Sequence, residues 1–536
     1  MCQNNETRST PRKRTMPCAA LLFMLISALA SAASAQTTAG ISLVNDQPKP
    51  AAPSDERPTP AARKQGLPAK APKQLKLGKV NVSGSLRLRA ESYGWFETPG
   101  FEDEYTFGAA QLRLSLGQQR EKWDWLVEGQ FTGFVNLPER AGAVAPQGQL
   151  GLGASYSAAN GRQDASAFLK QAYVRAKGVF GDRRGSLKAG RFEFVEGAET
   201  TPKDATLAAI KRDRLAHRLI GNFGFSHVGR SFDAVQYVRE NKSSNLTLVG
   251  GRAVEGVFQL RALKELDVDF WYGAYTKPLH AARVESELRL FGLHYHDGRG
   301  ALKTDNRTAT ARRADAENIR VNTVGGHYIV AARTSRGTFD ALAWGVGQFG
   351  AWGTQSHRAG AIAFEGGFQP GGALSKVKTW VRAGYFRGTG DGDPSDDRHT
   401  TFFQMLPTPR VYARFPFYNL MNNEDVFAQL QLKPHARLSL RADVRRLRLS
   451  NANDLWYAGG GAFQETSFGY QGRPSGGRRS LGTLFDLSAD VTLTPTTTLT
   501  LYGAGVRGGG VQAGVYPAGG VNPTARLLYV ELTRRF

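Results

Sequence analysis

From Lys79 onward, apolar and polar side chains alternate along most of the chain. Val80, Val82 and Leu86 are apolar, and the residues between them are polar or small. Successive side chains of a β-strand point to opposite faces, so this spacing gives each strand one apolar face and one polar face. The same alternation recurs elsewhere, for example at residues 426–432. The pattern predicts a chain built mainly of β-strands.

The alternation predicts about eighteen strands. They begin near residues 79, 104, 122, 166, 184, 232, 243, 265, 286, 318, 336, 358, 376, 423, 436, 480, 496 and 525. The connections after even-numbered strands are short turns, such as residues 119–121 and 433–435. Every long connection follows an odd-numbered strand: 136–165, 195–231, 298–317, 388–422, 450–479 and 508–524.

A meander whose connections sort in this way has one end of short turns and one end of long loops, which is typical of outer-membrane barrels. We therefore predict an all-β fold, a closed antiparallel transmembrane barrel of about eighteen strands, with sixteen as the alternative count. Its short turns would be periplasmic and its long loops extracellular. The other interpretation is a soluble β-sandwich, which is disfavoured because eighteen strands exceed the usual size of an open sheet.

The aromatic residues of the strands are candidates for the girdles that mark both membrane interfaces. The candidates are Trp123, Trp125, Trp271, Tyr272, Trp344, Trp380 and Tyr385. The last strand carries Leu528, Val530 and Leu532 on one face and ends at Phe536. This ending is the pattern by which the barrel-insertion machinery recognises a terminal strand, and pairing with the first strand would leave no open edge in lipid.

The N-terminal residues predict export from the cytoplasm. Residues 1–35 form a signal peptide with basic residues at 12–14, an apolar stretch at 19–30 and a cleavage site at 33–35. Residues 36–78 are rich in Pro, Ala and Lys and predict a disordered periplasmic segment, followed by the barrel at 79–536. Both cysteines, Cys2 and Cys18, lie in the signal peptide, so the mature chain has no thiol for a disulfide or a catalytic site.

The net charge of the chain indicates what kind of ligand it binds. The formal net charge is +23, which favours an acidic ligand. Many arginines occupy the polar faces of strands: Arg87, Arg89, Arg113, Arg175, Arg191, Arg382, Arg441 and Arg445. If the apolar faces contact lipid, these side chains line the lumen, where Asp267, Asp269, Asp443, Asp486 and Asp490 are too few to neutralise them. Such a lumen attracts anions and repels cations.

Three stretches carry a family resemblance: residues 168–175, 188–194 and 230–236, with residues 388–394 matching a later loop. From about Gly84 to Phe536 the chain resembles the alginate export family of outer-membrane porins. The resemblance implies a monomeric eighteen-stranded barrel that conducts an anionic polyuronate outward. It also implies that Arg175, Arg191 and Asp233 lie in the conduit, the aspartate in a charged constriction. The best-known members plug the barrel with a long periplasmic turn near the last strands, whereas residues 493–496 form a short turn here.

The long 195–231 connection contains a helix signal, with Asp204 as the cap and Leu207, Ile210 and Arg214 on one face. Two interpretations remain open: a segment folded inward as a constriction, or a surface loop with a short helix.

The sequence therefore predicts a porin of the Gram-negative outer membrane that passes an acidic polysaccharide or a related organic anion. A general or small-anion diffusion porin and a barrel-borne hydrolase remain alternatives. No catalytic residue, metal site, cofactor or nucleic-acid partner is predicted. The expected partners are the anionic solute, outer-membrane lipid and, through Phe536, the insertion machinery.

Overall fold

The computed structural model describes residues 75–409, 412, 414–517 and 522–536. Eighteen long strands form the wall: β1 (Val80–Gly94), β2 (Glu104–Gln119), β3 (Trp123–Val135), β4 (Ala165–Lys177), β5 (Gly185–Phe192), β6 (Phe232–Glu240), β7 (Asn245–Val254), β8 (Glu265–Ala281), β9 (Val284–Asp297), β10 (Ile319–Thr334), β11 (Gly337–Trp352), β12 (Gln355–Pro370), β13 (Trp380–Gly388), β14 (Asn423–His435), β15 (Leu438–Leu449), β16 (Ser480–Thr494), β17 (Thr497–Gly508) and β18 (Thr524–Arg535). The predictions for residues 1–35 and 36–74 lie outside the described residues.

Each strand pairs in antiparallel fashion with the next, and β18 pairs with β1, so the sheet closes on itself. The prediction of a closed eighteen-stranded barrel is confirmed. At the seam, Gly84 and Phe536 exchange backbone hydrogen bonds of 2.9 and 3.0 Å. A Cβ at Gly84 would stand 2.4 Å from the Phe536 ring and 2.7 Å from the backbone carbonyl oxygen of Arg113, and because the backbone of the paired strand cannot move aside without breaking the ladder, this position favours glycine. A short strand, Leu75–Leu77, pairs with Val80–Val82 beside this seam, within the segment that the sequence assigned to the linker.

The connections sort by length as the sequence predicts. The long ones, 136–164, 193–231, 298–318, 389–422, 450–479 and 509–523, all follow odd-numbered strands. They carry α1 (Leu152–Asn160), α2 (Ala205–Ile210) with a π-helical turn (Lys211–Leu215), α3 (Ala309–Ala314), α4 (Gly510–Val515) and the hairpin Trp456–Gly459 with Tyr470–Arg473. A two-residue strand, Arg398–His399, lies beside β12. Short 3₁₀ turns, Val179–Gly181 and Gly372–Val377, occupy two of the opposite, periplasmic connections. The turn between β16 and β17 is short, as predicted.

The two faces of the wall differ as the alternation predicts. Large apolar side chains such as Leu114, Phe364 and Leu487 are exposed on the outward face, where lipid would cover them. The residues between them are mostly polar and point inward. Of the part of the chain that the structure describes, no helix is long and apolar enough to cross a membrane.

The long loops fold into the extracellular half of the barrel and pack there as an aromatic core. Trp352, Phe403 and Trp456 are fully buried in it, and the Trp352 ring stacks on His399 at 4.1 Å between centroids. Three aromatic residues predicted for the interfacial girdles also point inward: Tyr272, Trp344 and Trp380 are buried. The girdle prediction is wrong for these three because each has inward parity, and the Trp380 indole, for example, donates to Asp340 at 2.8 Å.

Candidate functional site

Arg87 and Arg89 lie on the inward face of β1. Arg89 donates to Glu531 of β18 at 2.8 Å and to Glu91 at 3.1 Å, and its guanidinium lies 4.0 Å from the ring centre of Phe225. Arg87 donates to the carbonyls of residues 224 (2.6 Å) and 226. Both arginines therefore connect the wall to the 193–231 loop.

Arg113 on β2 points into the same space. Its guanidinium donates to Glu193 at 2.7 Å and to Gln130 at 2.9 Å. Lys170 of β4 stands 3.5 Å from the same Glu193 carboxylate. A register shift at Lys170 lets both it and Gln171 face the interior, because a β-bulge re-aims the residues that follow it.

Arg175 follows this bulge and also faces inward, towards the periplasmic end of the barrel. Its guanidinium donates to Asp124 of β3 at 2.9 Å. Lys177 stands 2.7 Å from the other oxygen of Asp124. The Asp124 carboxylate thus pairs with both Arg175 and Lys177.

On the opposite wall, Arg382, Arg441 and Arg445 point inward from β13 and β15. Arg382 pairs with Asp340 and, at 3.1 Å, with Glu365. Arg441 donates to Asp443 at 2.5 and 3.1 Å. Asp443 also lies 3.6 Å from Arg445, whose main partner is Asp425. The structure thus brings three of the predicted residues, Arg441, Asp443 and Arg445, into one network.

The expected surplus of unpaired arginines is not what the structure shows. Asp267 and Asp269 have the parity of the exposed Trp271 and face outward. Other inward carboxylates pair with the arginines instead: Glu91, Asp124, Glu193, Asp340, Glu365, Asp425 and Glu531. The expectation left out acids that share the inward faces with the arginines. Glu91 has the parity of Arg89 on β1, and Glu531 lies directly opposite Arg89 on β18.

Arg191 and Asp233 form a bidentate pair at 2.6 and 2.7 Å, but on the outer face. Their strand neighbours of like parity, Ala189 and Val235, are exposed. The structure thus corrects two expectations: the lumen position that alternation gave Arg191, and the interior placement of both residues that the resemblance implied. The pair belongs to an outward charged row across β5–β9, whose members lie directly opposite one another: Arg191, Asp233, Arg252, Asp269 and His296.

The 193–231 loop folds inward, which decides between the two interpretations of this segment. The side chains of Gln111, Gln130 and Thr132 all donate to the carbonyl of His227, at 2.6–2.9 Å. Asp204 caps α2 by accepting from the backbone of Thr206 and Leu207, as its sequence position predicted. The loop is therefore attached to several strands of the wall.

The sequence analysis missed the role of Arg230, which joins three inward loops. Its buried guanidinium donates to the carbonyls of Gly221 (3.1 Å), Leu406 (2.5 Å) and Gly461. These carbonyls belong to the loops 193–231, 389–422 and 450–479. Burial lowers the pKa of Arg230 to about 10, so the group is still cationic at neutral pH. No local sequence pattern identifies contacts across such separations.

We expect the attachment of the 193–231 loop to weaken in acid. Burial by itself would raise the pKa of Glu193, but Arg113 and Lys170 outweigh it and lower that pKa from 4.5 to about 2. A carboxylate with a lowered pKa stabilises the folded state above its ordinary pKa, and this contribution, on the order of 3 kcal/mol, disappears as the pH falls from about 4.5 towards 2. Single-channel recordings should show more frequent openings over that range.

The Glu193→Gln variant is the control for this prediction. It removes the titrating group, so its openings should already be frequent at pH 6 and should change less with acid than those of the unmodified protein. Equal pH responses in both proteins would assign the effect to other carboxylates.

Comparison with known proteins shows which family and which solved structures the chain resembles. Residues 142–514 match the Alginate export family. No curated protein matches the chain. Among solved structures, OccK2 (OpdF) of Pseudomonas aeruginosa has a TM-score of 0.50 at 8% identity, over 85% of this chain and 97% of that one. A BenF-like porin from Pseudomonas fluorescens Pf-5 also has a TM-score of 0.50, at 9% identity, over 86% and 100%. At such identities the likeness shows the fold alone.

Proposed function

The chain belongs to the alginate export family, whose match spans residues 142–514, and from this premise we propose that this outer-membrane porin passes an acidic polysaccharide outward through its polar interior. The family match carries the proposal. The inward guanidinium groups of Arg87, Arg113, Arg175 and Arg441 give it a physical basis, because Arg pairs bidentately with carboxylates such as those of a uronate.

The pairing of these arginines suits transient binding. Arg441 already pairs with the carboxylate of Asp443, and 11% of the surface of its side chain remains exposed. A passing uronate would compete with Asp443 for the same donors. Asp443 pairs with Arg441 again when the uronate leaves, so the polymer is not held at this site. Weak binding at several sites of this kind allows conduction.

The loops that fill the extracellular half of the barrel would have to move for a polymer to pass. Arg230 and Glu193 hold these loops to one another and to the wall. We propose that polymer passage displaces some of this packing at the extracellular side. The short β16–β17 turn makes a periplasmic plug at that position implausible on length alone.

Planar-bilayer recording tests the proposal. We expect the open protein to prefer anions and its current to fall when an oligouronate is added, because the polymer occupies the sites that carry small anions. An uncharged oligosaccharide of equal length is the control and should reduce the current much less.

Three other outcomes separate the alternatives. An anion-selective current that ignores oligouronate would indicate a small-anion diffusion porin, and cation selectivity would contradict the proposal. Turnover of a lipid or glycan by the purified protein would instead favour a barrel hydrolase.

A further inference from the structure

A second group of arginines lies on the outer face of the barrel, at the extracellular ends of β13–β16. We call Arg387, Glu424, Arg446, Arg448 and Arg479 the rim cluster. Glu424 is directly opposite both Arg387 and Arg448, and Arg479 immediately precedes β16. Arg446 lies two residues from Arg448 on the same face of β15, which corresponds to about 7 Å. The five residues therefore form one compact patch.

One carboxylate pairs with three of the four arginines of the rim cluster. Arg448 pairs with Glu424, and Arg479 and Arg387 approach the same carboxylate at 3.1 and 3.6 Å. The side chain of Glu424 is only 4% exposed, whereas those of Arg387, Arg448 and Arg479 are 51%, 55% and 44% exposed. Among the described residues Arg446 forms no ion pair. The cluster therefore presents a positive surplus to its surroundings.

The position of the rim cluster matches the boundary of the hydrocarbon layer. Towards the periplasm on the same outward face follow Val444, Phe485 and Leu487, which are 37%, 58% and 64% exposed. Such exposed apolar side chains belong against acyl chains. The guanidinium groups just above them therefore lie at the depth of the lipid headgroups of the outer leaflet.

The rim cluster differs from the charged row on the other side of the barrel. In that row each cation alternates with an acid across the strands, and Arg252 meets Asp269 at 2.7 and 2.8 Å. The charges of this row are therefore neutralised by partners within the protein. In the rim cluster three guanidinium groups share one carboxylate, so donors remain for an external anion.

We propose that the rim cluster binds the phosphate groups of an anionic lipid in the outer leaflet. Arg is suited to this role because its planar fork donates two hydrogen bonds to one phosphate and is weakly hydrated. The buried Glu424 positions the forks, and the exposed side chains of Arg446 and Arg448 supply the contacts. The inference is independent of the polymer that the lumen carries.

Native mass spectrometry of the full chain, released from nanodiscs of phosphatidylcholine doped with a diphosphorylated lipid A, tests the proposal. We expect the protein to retain lipid A and the double variant Arg446→Gln/Arg448→Gln to retain about thirtyfold less, since the variant removes two basic residues next to a charged membrane. Arg507 of β17 lies beside the rim cluster: it is exposed, and both it and Arg446 lie directly opposite Thr483. A second variant, Arg446→Gln/Arg507→Gln, therefore removes two neighbouring arginines without breaking an ion pair of Glu424, and it should also lose retention.

The matched control is Arg320→Gln/Arg358→Gln. It removes two exposed outward arginines from β10 and β12, which lie outside the rim cluster, and it should retain lipid A like the unmodified protein. Equal losses in the control and the cluster variants would overturn the proposal, as would displacement of the lipid by an oligouronate. Heat-modified mobility in gels checks that each variant is folded.

Discussion

Replacing Arg230 with methionine should turn a mostly closed barrel into one that opens often, with a severalfold rise in mean conductance. Methionine fills similar space but donates no hydrogen bond. The carbonyls of Gly221 and Gly461 would then be buried without this donor, at a cost of roughly 1–3 kcal/mol for each carbonyl left unpaired. The Leu406 carbonyl would keep only the backbone N–H of Gly221. Because these carbonyls lie in three different loops, the loss should separate the loops from one another rather than unfold the wall.

Single-channel recording measures the rise in conductance, and limited proteolysis from the extracellular side should cut the loops faster. Arg261→Met is the matched control, because Arg261 is exposed in another loop on the same side of the barrel. Unchanged gating in Arg230→Met, with the control also unchanged, would show that Arg230 does not hold the loops closed.

Reversing the charge of one inward arginine should strongly reduce anion selectivity. In Arg441→Glu the new carboxylate faces Asp443, so a site that paired internally becomes a pair of like charges near the periplasmic mouth. A change of two charge units within low-dielectric walls should shift the anion-to-cation permeability ratio about tenfold towards cations. Reversal potentials in a salt gradient measure this ratio.

Arg320→Glu carries the same charge change on the outward face of β10 and should leave the ratio nearly unchanged. If both variants shift the ratio equally, the effect comes from total charge and not from the lumen, and Arg441 has no place in the conduit.

The alternation of side chains was enough to predict the wall of this protein. Strand count, closure and the sorting of loops follow from a period of two and from turn length, both of which are local properties. The same parity correctly placed Arg87, Arg113 and Arg441 on the inward face. Whether these residues contact a solute stays a prediction.

The parts that escaped prediction depend on contacts between distant segments. The partner of Arg113 is Glu193, 80 residues later, and Arg230 reaches a carbonyl 231 residues away. Alternation placed Arg191 inside, and the family resemblance placed both Arg191 and Asp233 there, although the exposed Ala189 and Val235 share their parity. A polar residue on a strand is assigned to a face reliably only when the exposure of its neighbours of like parity is known.

The seam between β18 and β1 has a consequence for how the protein is made. Every other pair of neighbouring wall strands is consecutive in the chain, so those pairings close only short segments. The seam joins residues 85–94 to residues 526–535, so it closes the longest segment of chain and costs the most chain entropy to form. Until it forms, β1 and β18 each present an unsatisfied strand edge that can pair with another chain.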